Sequence, residues 1–314
     1  MPDQSPTPIT RRRVLTILAG ASAALMAGPA QSARLHEWRG TALGAEARIV
    51  LAHADRTVAG QTLALIRTEI ERLESIFSLY RADSAVSMLN RTGRLRAAPL
   101  ELVHLTRRAL AITRLTDGAF DVTVQPLWDL YGGHFRKHPS DTVGPPEAAI
   151  VATRKLIGPD MVRVSGTGIQ LAPGTQLTFN GIAQGYITDR ITALIRAHGW
   201  HDVLINIGEY RALGTHPDGR PWKIGLPGGV KTLLSDAALA TSEGTATRFT
   251  AAAPHHHLFD PRTGLCASGC STLSIVASNA ADADALSTAL FIAPPSEHQR
   301  ILSFFPGAHR VSIG

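Results

Sequence analysis

The sequence is poor in several things, and each shortage excludes something. Only two of its 314 residues are cysteine. Two thiols cannot staple a disulfide scaffold, nor close a four-ligand structural zinc site by themselves. Aromatic residues make up 5% of the chain, and no stretch interleaves them with basic side chains as a nucleic-acid stacking platform requires. No apolar run reaches the length of about 18 residues that a membrane-spanning helix needs. Glycine shows no collagen period.

What is present is an ordinary globular composition, 44% hydrophobic and 18% charged, with 28 Gly and 19 Pro. That apolar share fills a sizeable core and excludes wholesale disorder. The formal charge is +6 and the isoelectric point about 9.8.

Part of that charge is clustered. Arg11, Arg12 and Arg13 precede an apolar run from Val14 to Ala27, with small residues at Gly28 and Ala30. A basic start, a short apolar stretch and small residues at a cleavage point describe an export signal rather than a membrane span. Thr10-Arg11-Arg12-Arg13-Val14-Leu15 matches the twin-arginine pattern, which predicts a signal over residues 1–33 and a bacterial periplasmic destination. A basic amphipathic tail is the alternative reading. Cleavage after Ala30 or Ala33 fits equally well. In an oxidising compartment Cys266 and Cys270 could form a disulfide or remain two small buried thiols.

Residues 34–314 then read as one domain. Hydrophobic spacing predicts a strand at 47–52 and a long helix at 57–77, with Leu63, Ile66, Ile70, Leu73 and Ile76 on one face. A short helix toward Asn90 and another from Pro99 to Leu115 follow, the second stopped by Asp117-Gly118. Residues 132–148, rich in Gly, His and Pro, read as a surface loop. Short strands are expected at 162–164, 169–171 and 177–179, a helix at 183–198, and a strand at 202–207. Residues 177–207 would therefore form a strand–helix–strand unit. Strands at 222–226 and 273–277 and a helix at 281–292 complete an α+β chain, with helices layered on mixed or antiparallel sheets.

Four segments could carry chemistry. Asp284 and Thr288 are four apart on the last predicted helix, so their oxygens share a face and offer the hard ligands magnesium prefers. Acids in a first helical turn can equally serve the helix dipole alone. Asn180-Gly181-Ile182-Ala183-Gln184-Gly185-Tyr186 would let backbone approach a phosphate at a helix N-terminus, or merely pack tightly. Asp121 and Thr123, in Gly118-Ala119-Phe120-Asp121-Val122-Thr123-Val124, could bind a base or sugar, or satisfy a turn. Of His255, His256 and His257, adjacent side chains alternate in direction, so at most two share a site. One of them acting as a base beside Asp260 suits the pattern, as does a solvated loop.

Taken in order, these segments resemble the ApbE family of FAD:protein FMN transferases. Phe77-Ser78-Leu79-Tyr80 through Ser84 and Asn90 is similar to the family's F-S-x-Y-x-x-x-S…N. Gly118 to Val124 is similar to G-A-F-D-x-T-V, and Gly181 through Asp189 to G-I-A-K-G-Y-x-x-D. His257 with Asp260-Pro261-Arg262-Thr263-Gly264 resembles H-x-x-D-P-x-T-G, and Asp284 with Thr288 resembles A-D-x-x-x-T.

The resemblance implies an ApbE-like single globular unit. It implies transfer of FMN from FAD to a Ser or Thr hydroxyl of a partner protein, with AMP leaving. Magnesium would be held by the Ala183 carbonyl and by Asp284 and Thr288. Tyr80 with Ala119, Phe120 and Asp121 would hold an end of FAD. His257 would lie near the pyrophosphate and take the proton of the acceptor hydroxyl.

The chain departs from the pattern in places. Gln184 stands where the family has Lys, Thr178 where it has Asp before the Gly-Ile-Ala turn, and Gly208-Glu209-Tyr210 where it has G-G-D. Thr241-Ser242-Glu243 replaces T-S-G. Losing a fixed cation weakens a hydrogen bond to phosphate about twofold in strength. The Gly-Glu-Tyr-Arg run with a twin-arginine signal resembles the NosX subgroup, periplasmic accessories that flavinylate the membrane-bound redox partner of nitrous oxide reductase. Two other classes fit the same residues: an FAD pyrophosphate hydrolase with water as acceptor, and a non-catalytic flavin carrier.

Overall fold

The computed structural model describes residues 34–53, 55–251, 255–269 and 271–311. The export-signal expectation and Cys270, with its pairing, lie outside them.

The described chain begins with strands β1 (Arg34–Ala42) and β2 (Ala45–His53), joined by a two-residue turn. Helix α1 (Arg56–Phe77) starts where the Asp55 carboxylate accepts the Thr57 N–H at 2.7 Å. Its stripe of Ile66, Ile70, Leu73 and Ile76 is buried, as the spacing predicts. Helix α2 (Ala85–Thr92) is capped by Ser84 and closed by Gly93 at φ +69. Strand β3 (Arg94–Leu95) and helix α3 (Leu100–Leu115) follow, then α4 (Gln125–Lys137), α5 (Glu147–Arg154), β4 (Val162–Ser165) and β5 (Gly168–Leu171). The second half contains α6 (Ala183–Ala197), β6 (Val203–Ile207), β7 (Tyr210–Leu213), β8 (Trp222–Gly225), β9 (Lys231–Leu234) and β10 (Ala238–Glu243). Strands β11 (Phe259–Asp260), β12 (Leu265–Cys266) and β13 (Thr272–Ala277), helices α7 (Ala280–Ile292) and α8 (Pro295–Ser303), and β14 (His309–Arg310) complete it.

The fold is α+β. Its frame is a seven-stranded sheet in the order β1-β2-β6-β7-β10-β13-β14, antiparallel at every pairing. The main core, with Ile49, Leu51, Ile205 and Ile275 of the sheet, packs against α1, α6 and α7. A second cluster, Val50, Leu204, Leu239 and Val276, buries the opposite sheet face under the β8–β9 hairpin through Trp222 and Ile224. Successive side chains of a strand point to opposite faces, which is why neighbours such as Ile49 and Val50 serve different cores.

Two expectations are corrected. Residues 177–179 form no strand, so the strand–helix–strand unit lacks its first strand. The Asn90 amide takes a strand partner's place: its Oδ1 accepts the Leu177 N–H at 2.7 Å and its Nδ2 donates to the Leu177 carbonyl at 2.8 Å. The Thr178 N–H goes to the Val122 carbonyl. Residues 132–137 are helical rather than loop, because Leu127, Tyr131 and Phe135 recur every four residues and bury one face. The Trp128 ring covers Gly132, where a Cβ would sit 3.4 Å from it.

Candidate functional site

One cavity of about 780 Å³ opens where the ends of the sheet strands meet the N-terminal end of α6 and the Asp284–Thr288–Ile292 face of α7. Its size is in the upper part of the range for small-molecule sites, about 300–1,000 Å³.

Helix α7 supplies Asp284 and Thr288 to the cavity wall. The helix is apolar nearly all round and sits between α6 and strands β10 and β13. Its first turn is fixed from two sides. Asn279 Oδ1 accepts the Asp282 N–H at 2.8 Å, and the half-buried Asp189 carboxylate accepts the Ala280 and Ala281 N–H groups at 2.8 and 2.9 Å. Burial pushes the Asp189 carboxyl above its ordinary pKa, against the pull of those donors. Asp284 is 4% exposed, and its Oδ2 accepts the Gly185 N–H at 3.0 Å.

The glycines of the α6 turn have separate reasons. Gly185 is where α6 crosses α7: a Cβ there would lie 2.1 Å from the Ala280 carbonyl oxygen. Gly181 lets the turn approach Thr288, whose Oγ1 would stand 3.0 Å from an added Cβ. Gly208, at φ +86 in the β6–β7 turn, lies flat against the Gln184 amide, 2.6 Å from where its Cβ would be. Asn180, Gly181 and Gln184 line the cavity, whereas Ala183 is buried and off the wall, its methyl in the main core.

A hydroxyl ladder connects β10 to α7. Ser242 Oγ lies 2.8 Å from Ser287 Oγ and 3.4 Å from Thr288 Oγ1, and Thr241 Oγ1 lies 2.8 Å from Ser274 Oγ. Glu209, 4% exposed on the cavity wall, accepts the Thr241 N–H at 3.2 Å.

Ala119, Phe120 and Asp121 also line the cavity. The Asp121 carboxylate closes a turn, accepting the Thr123 N–H at 2.8 Å and its hydroxyl at 2.6 Å. Burial raises its pKa, and the two Thr123 donors oppose the rise. Turn closure and a place on the wall coexist in one residue.

The three histidines separate. His255 packs among Phe135 and Tyr131. His256 has both ring nitrogens committed: Nε2 donates to the Ala267 carbonyl at 2.8 Å and Nδ1 accepts the Leu258 N–H at 3.2 Å. Its partial burial lowers its pKa and so favours the neutral ring. His257 alone of the three lines the cavity. Its Nδ1 lies 3.2 Å from the Thr247 carbonyl, which can only accept, so the neutral ring carries its lone pair on Nε2. The expected pairing of a histidine base with Asp260 is corrected. That carboxylate is gripped by Arg262 at 2.9 and 3.0 Å, and Arg262 is held above its ordinary pKa by the same contact.

Tyr80 is also displaced from expectation. It is 67% exposed and off the cavity wall, because its ring lies against Gly44 at the β1–β2 turn.

Sequence reasoning missed Arg39 and Arg48, which line the cavity and stand directly opposite each other in the β1–β2 ladder. Like charges in that register repel. Glu37 offsets this, binding Arg48 through two bonds of 2.9 and 2.8 Å and Arg39 through another. The Arg48 contact is the chief reason the Glu37 carboxyl titrates below its ordinary value. Nothing in the strand pattern marks the pair until the register is known.

The cavity therefore has two arginines at the β1–β2 hairpin and three buried carboxylates, Asp121, Glu209 and Asp284, deeper in. Asp284 and Thr288 offer carboxylate and hydroxyl oxygens from one helix face, a donor set suited to a hard cation. His257 supplies a positioned base on the same cavity.

Comparison with known proteins gives a consistent result. The ApbE family matches residues 43–310. A FAD:protein FMN transferase of Vibrio cholerae is 28% identical over 265 residues, covering 79% of this chain and 78% of the relative. Another of the same name from Treponema pallidum is 29% identical, covering 78% and 75%. The ApbE protein of Thermotoga maritima superposes with a TM-score of 0.77 at 29% identity, over 88% of this chain and 93% of that one. The flavinyl transferase ApbE of Pseudomonas stutzeri does so at 0.73 and 25% identity, over 86% and 88%.

Proposed function

The chain belongs to the ApbE family, and from that premise we propose that it is a magnesium-dependent FAD:protein FMN transferase. The observation that carries this reading is the convergence of Asp284, Thr288, Gly181, Gln184 and His257 on one cavity. FAD is the donor and a Ser or Thr hydroxyl of a partner protein the acceptor.

The acceptor oxygen forms a bond to the phosphorus of the FMN half, the anhydride bond to the AMP half breaks, and AMP leaves. His257 Nε2 accepts the hydroxyl proton. Asp284 and Thr288, with the Ala183 carbonyl as a backbone ligand, would hold the magnesium, which would supply charge neutralisation at the pyrophosphate. The donor set fits such an ion: without a cation, three buried carboxylates would repel a dianionic pyrophosphate. Arg39 and Arg48 draw the dinucleotide in from the hairpin side. Ala119, Phe120, Asp121 and Gln184 line the space it fills, and Tyr80 stands outside at the hairpin turn. Transfer of this kind depends on positioning and charge neutralisation more than on covalent help from the protein.

The proposed setting is the periplasm, reached by the twin-arginine route. The run Arg11-Arg12-Arg13 and the apolar segment after it support this, and Gly208-Glu209-Tyr210-Arg211 supports a role in nitrous oxide reductase maturation, with a membrane-bound redox protein as acceptor.

The test is intact-mass analysis of a recombinant acceptor domain bearing a flavinylation Ser or Thr, incubated with FAD, magnesium and the enzyme. The expected result is one FMN increment on the acceptor and an equal amount of AMP, both lost in Asp284→Ala and on chelation. AMP without acceptor modification would replace transfer by hydrolysis. FAD recovered intact would make the protein a carrier.

A further inference from the structure

We propose that the outer edge of β1 is the docking surface for the acceptor protein, which adds an extended segment to the sheet and so presents its hydroxyl to the cavity. This rests on the transfer reading above for the identity of the partner, and on the sheet geometry for the surface.

The two ends of the sheet differ. At one end β14 is two residues long, a blunted edge of the kind that resists pairing. At the other, β1 is nine residues long and pairs continuously with β2, with no bulge and no proline to protect it. Among the described residues no strand covers its far side.

The register says which backbone groups that side exposes. The turn residues Leu43 and Gly44 have φ +48 and +77, a two-residue hairpin turn whose closing pair is Ala42 with Ala45. A closing pair is hydrogen-bonded, and such pairs alternate along an antiparallel ladder. Gly40, Trp38 and His36 therefore turn their N–H and C=O groups toward β2. Thr41, Arg39, Glu37 and Leu35 turn theirs outward.

Two further facts place this edge at the site. Arg39 and Thr41, both with outward backbone groups, line the cavity. A partner strand lies about 4.8 Å from the strand it joins, so a residue opposite Arg39–Thr41 stands beside the cavity mouth. The hairpin is also held in position. The Leu43 N–H donates to Glu74 Oε1 of α1 at 2.6 Å, and the Trp38 indole lies across Gly40, 2.3 Å from where a Cβ would be. Strand addition takes affinity from main-chain bonds and specificity from alternate side chains. It suits an enzyme that must recognise one hydroxyl within an extended segment.

Two measurements test this, using the recombinant acceptor domain and FAD-loaded full-length enzyme. The first is amide hydrogen exchange by NMR. The N–H groups of Glu37, Arg39 and Thr41 should exchange fast in the free enzyme and slow at least tenfold with acceptor, while those of Trp38 and Gly40 are slow throughout. The second compares Arg39→Pro with Arg39→Ala, which both lack the guanidinium and differ in the outward N–H. Proline should raise KM for the acceptor about three- to tenfold over alanine, the loss of about one hydrogen bond, with equal FAD affinity and melting temperature. If the proline variant does not fold, the exchange result alone decides.

Unchanged exchange on acceptor saturation, or equal KM values, would overturn the proposal. So would protection already present in the free enzyme, which would mean that the chain covers its own edge. Protection rising with enzyme concentration alone would mean pairing between copies and would overturn it too. Protection by the acceptor without any FMN transfer would retain the docking surface and reject the activity.

Discussion

Gln184 shows how far one side chain can be read. Its identity marks a missing cation, and its setting shows what that absence does: the amide lies flat against Gly208 and borders the cavity. A lysine there has reach to spare past the glycine. Gln184→Lys should tighten FAD binding roughly threefold or more, since a charge-assisted bond to phosphate is about twice as strong as a neutral one. Calorimetric titration with FAD checks this, and unchanged affinity would move the pyrophosphate away from the α6 turn. His256 makes a separate prediction. Burial lowers its pKa, so the folded state resists protonation that the unfolded chain undergoes near pH 6.5. Its contribution is complete above that pH and is lost as pH falls below it. Thermal melts of His256→Gln should show a lower stability at pH 7.5, by about 1–2 kcal/mol, and a shallower loss between pH 7 and 5 than the wild type. An identical slope would place the acid sensitivity elsewhere. The sequence showed three adjacent histidines and the alternation that separates them. It could not show that His256 would take both a carbonyl and an N–H, because those partners come from Ala267 and Leu258 after the chain folds back.

At the scale of elements, the site depends on how α6 meets α7. Gly185 is the contact, and its N–H also binds Asp284. Gly185→Ala would drive a methyl into the Ala280 carbonyl and separate the helices. The cost is about 3 kcal/mol or more, beyond ordinary overpacking because backbone rather than side chain must yield. Transfer activity should fall with it, as Asp284 and Thr288 ride on the displaced helix. A melting temperature within a degree or so of wild type would show that the helices have room the structure does not indicate. Helices were legible wherever a 3.6-residue stripe was long: α1, α3, α6 and α7 stand within a residue or two of expectation. Strand 177–179 was misread because a polar side chain, Asn90, can imitate a strand partner, and local apolar pattern does not reveal who satisfies the backbone. The C-terminal half of helix α4 is hard to read in the sequence because two glycines and a histidine outweigh a trio of large residues four apart, whose burial only the tertiary fold confers.

For the whole molecule, the +6 charge divides in two. Residues 1–33 hold three Arg and one Asp, leaving +4 on the remainder. The first part predicts an address: replacing Arg11, Arg12 and Arg13 with Lys should keep the protein in the cytoplasmic fraction when bacterial cells are fractionated. Export undiminished by that change would remove the twin-arginine reading. The second part is modest for a chain of this length, and at the cavity Arg39 and Arg48 stand against the carboxylates of Glu46, Asp121, Glu209 and Asp284. The order of motifs along the chain located the α6 turn, the 119–121 wall, His257 and the α7 oxygens. The β1–β2 arginines and the open sheet edge were not legible, since both depend on a register that only pairing fixes. We propose that these parts together move FMN onto a protein hydroxyl. Intact-mass analysis of the acceptor domain after incubation with FAD, magnesium and enzyme reads this directly. One FMN increment per acceptor with one AMP released is expected, absent in Asp284→Ala. AMP formed with the acceptor mass unchanged would contradict it.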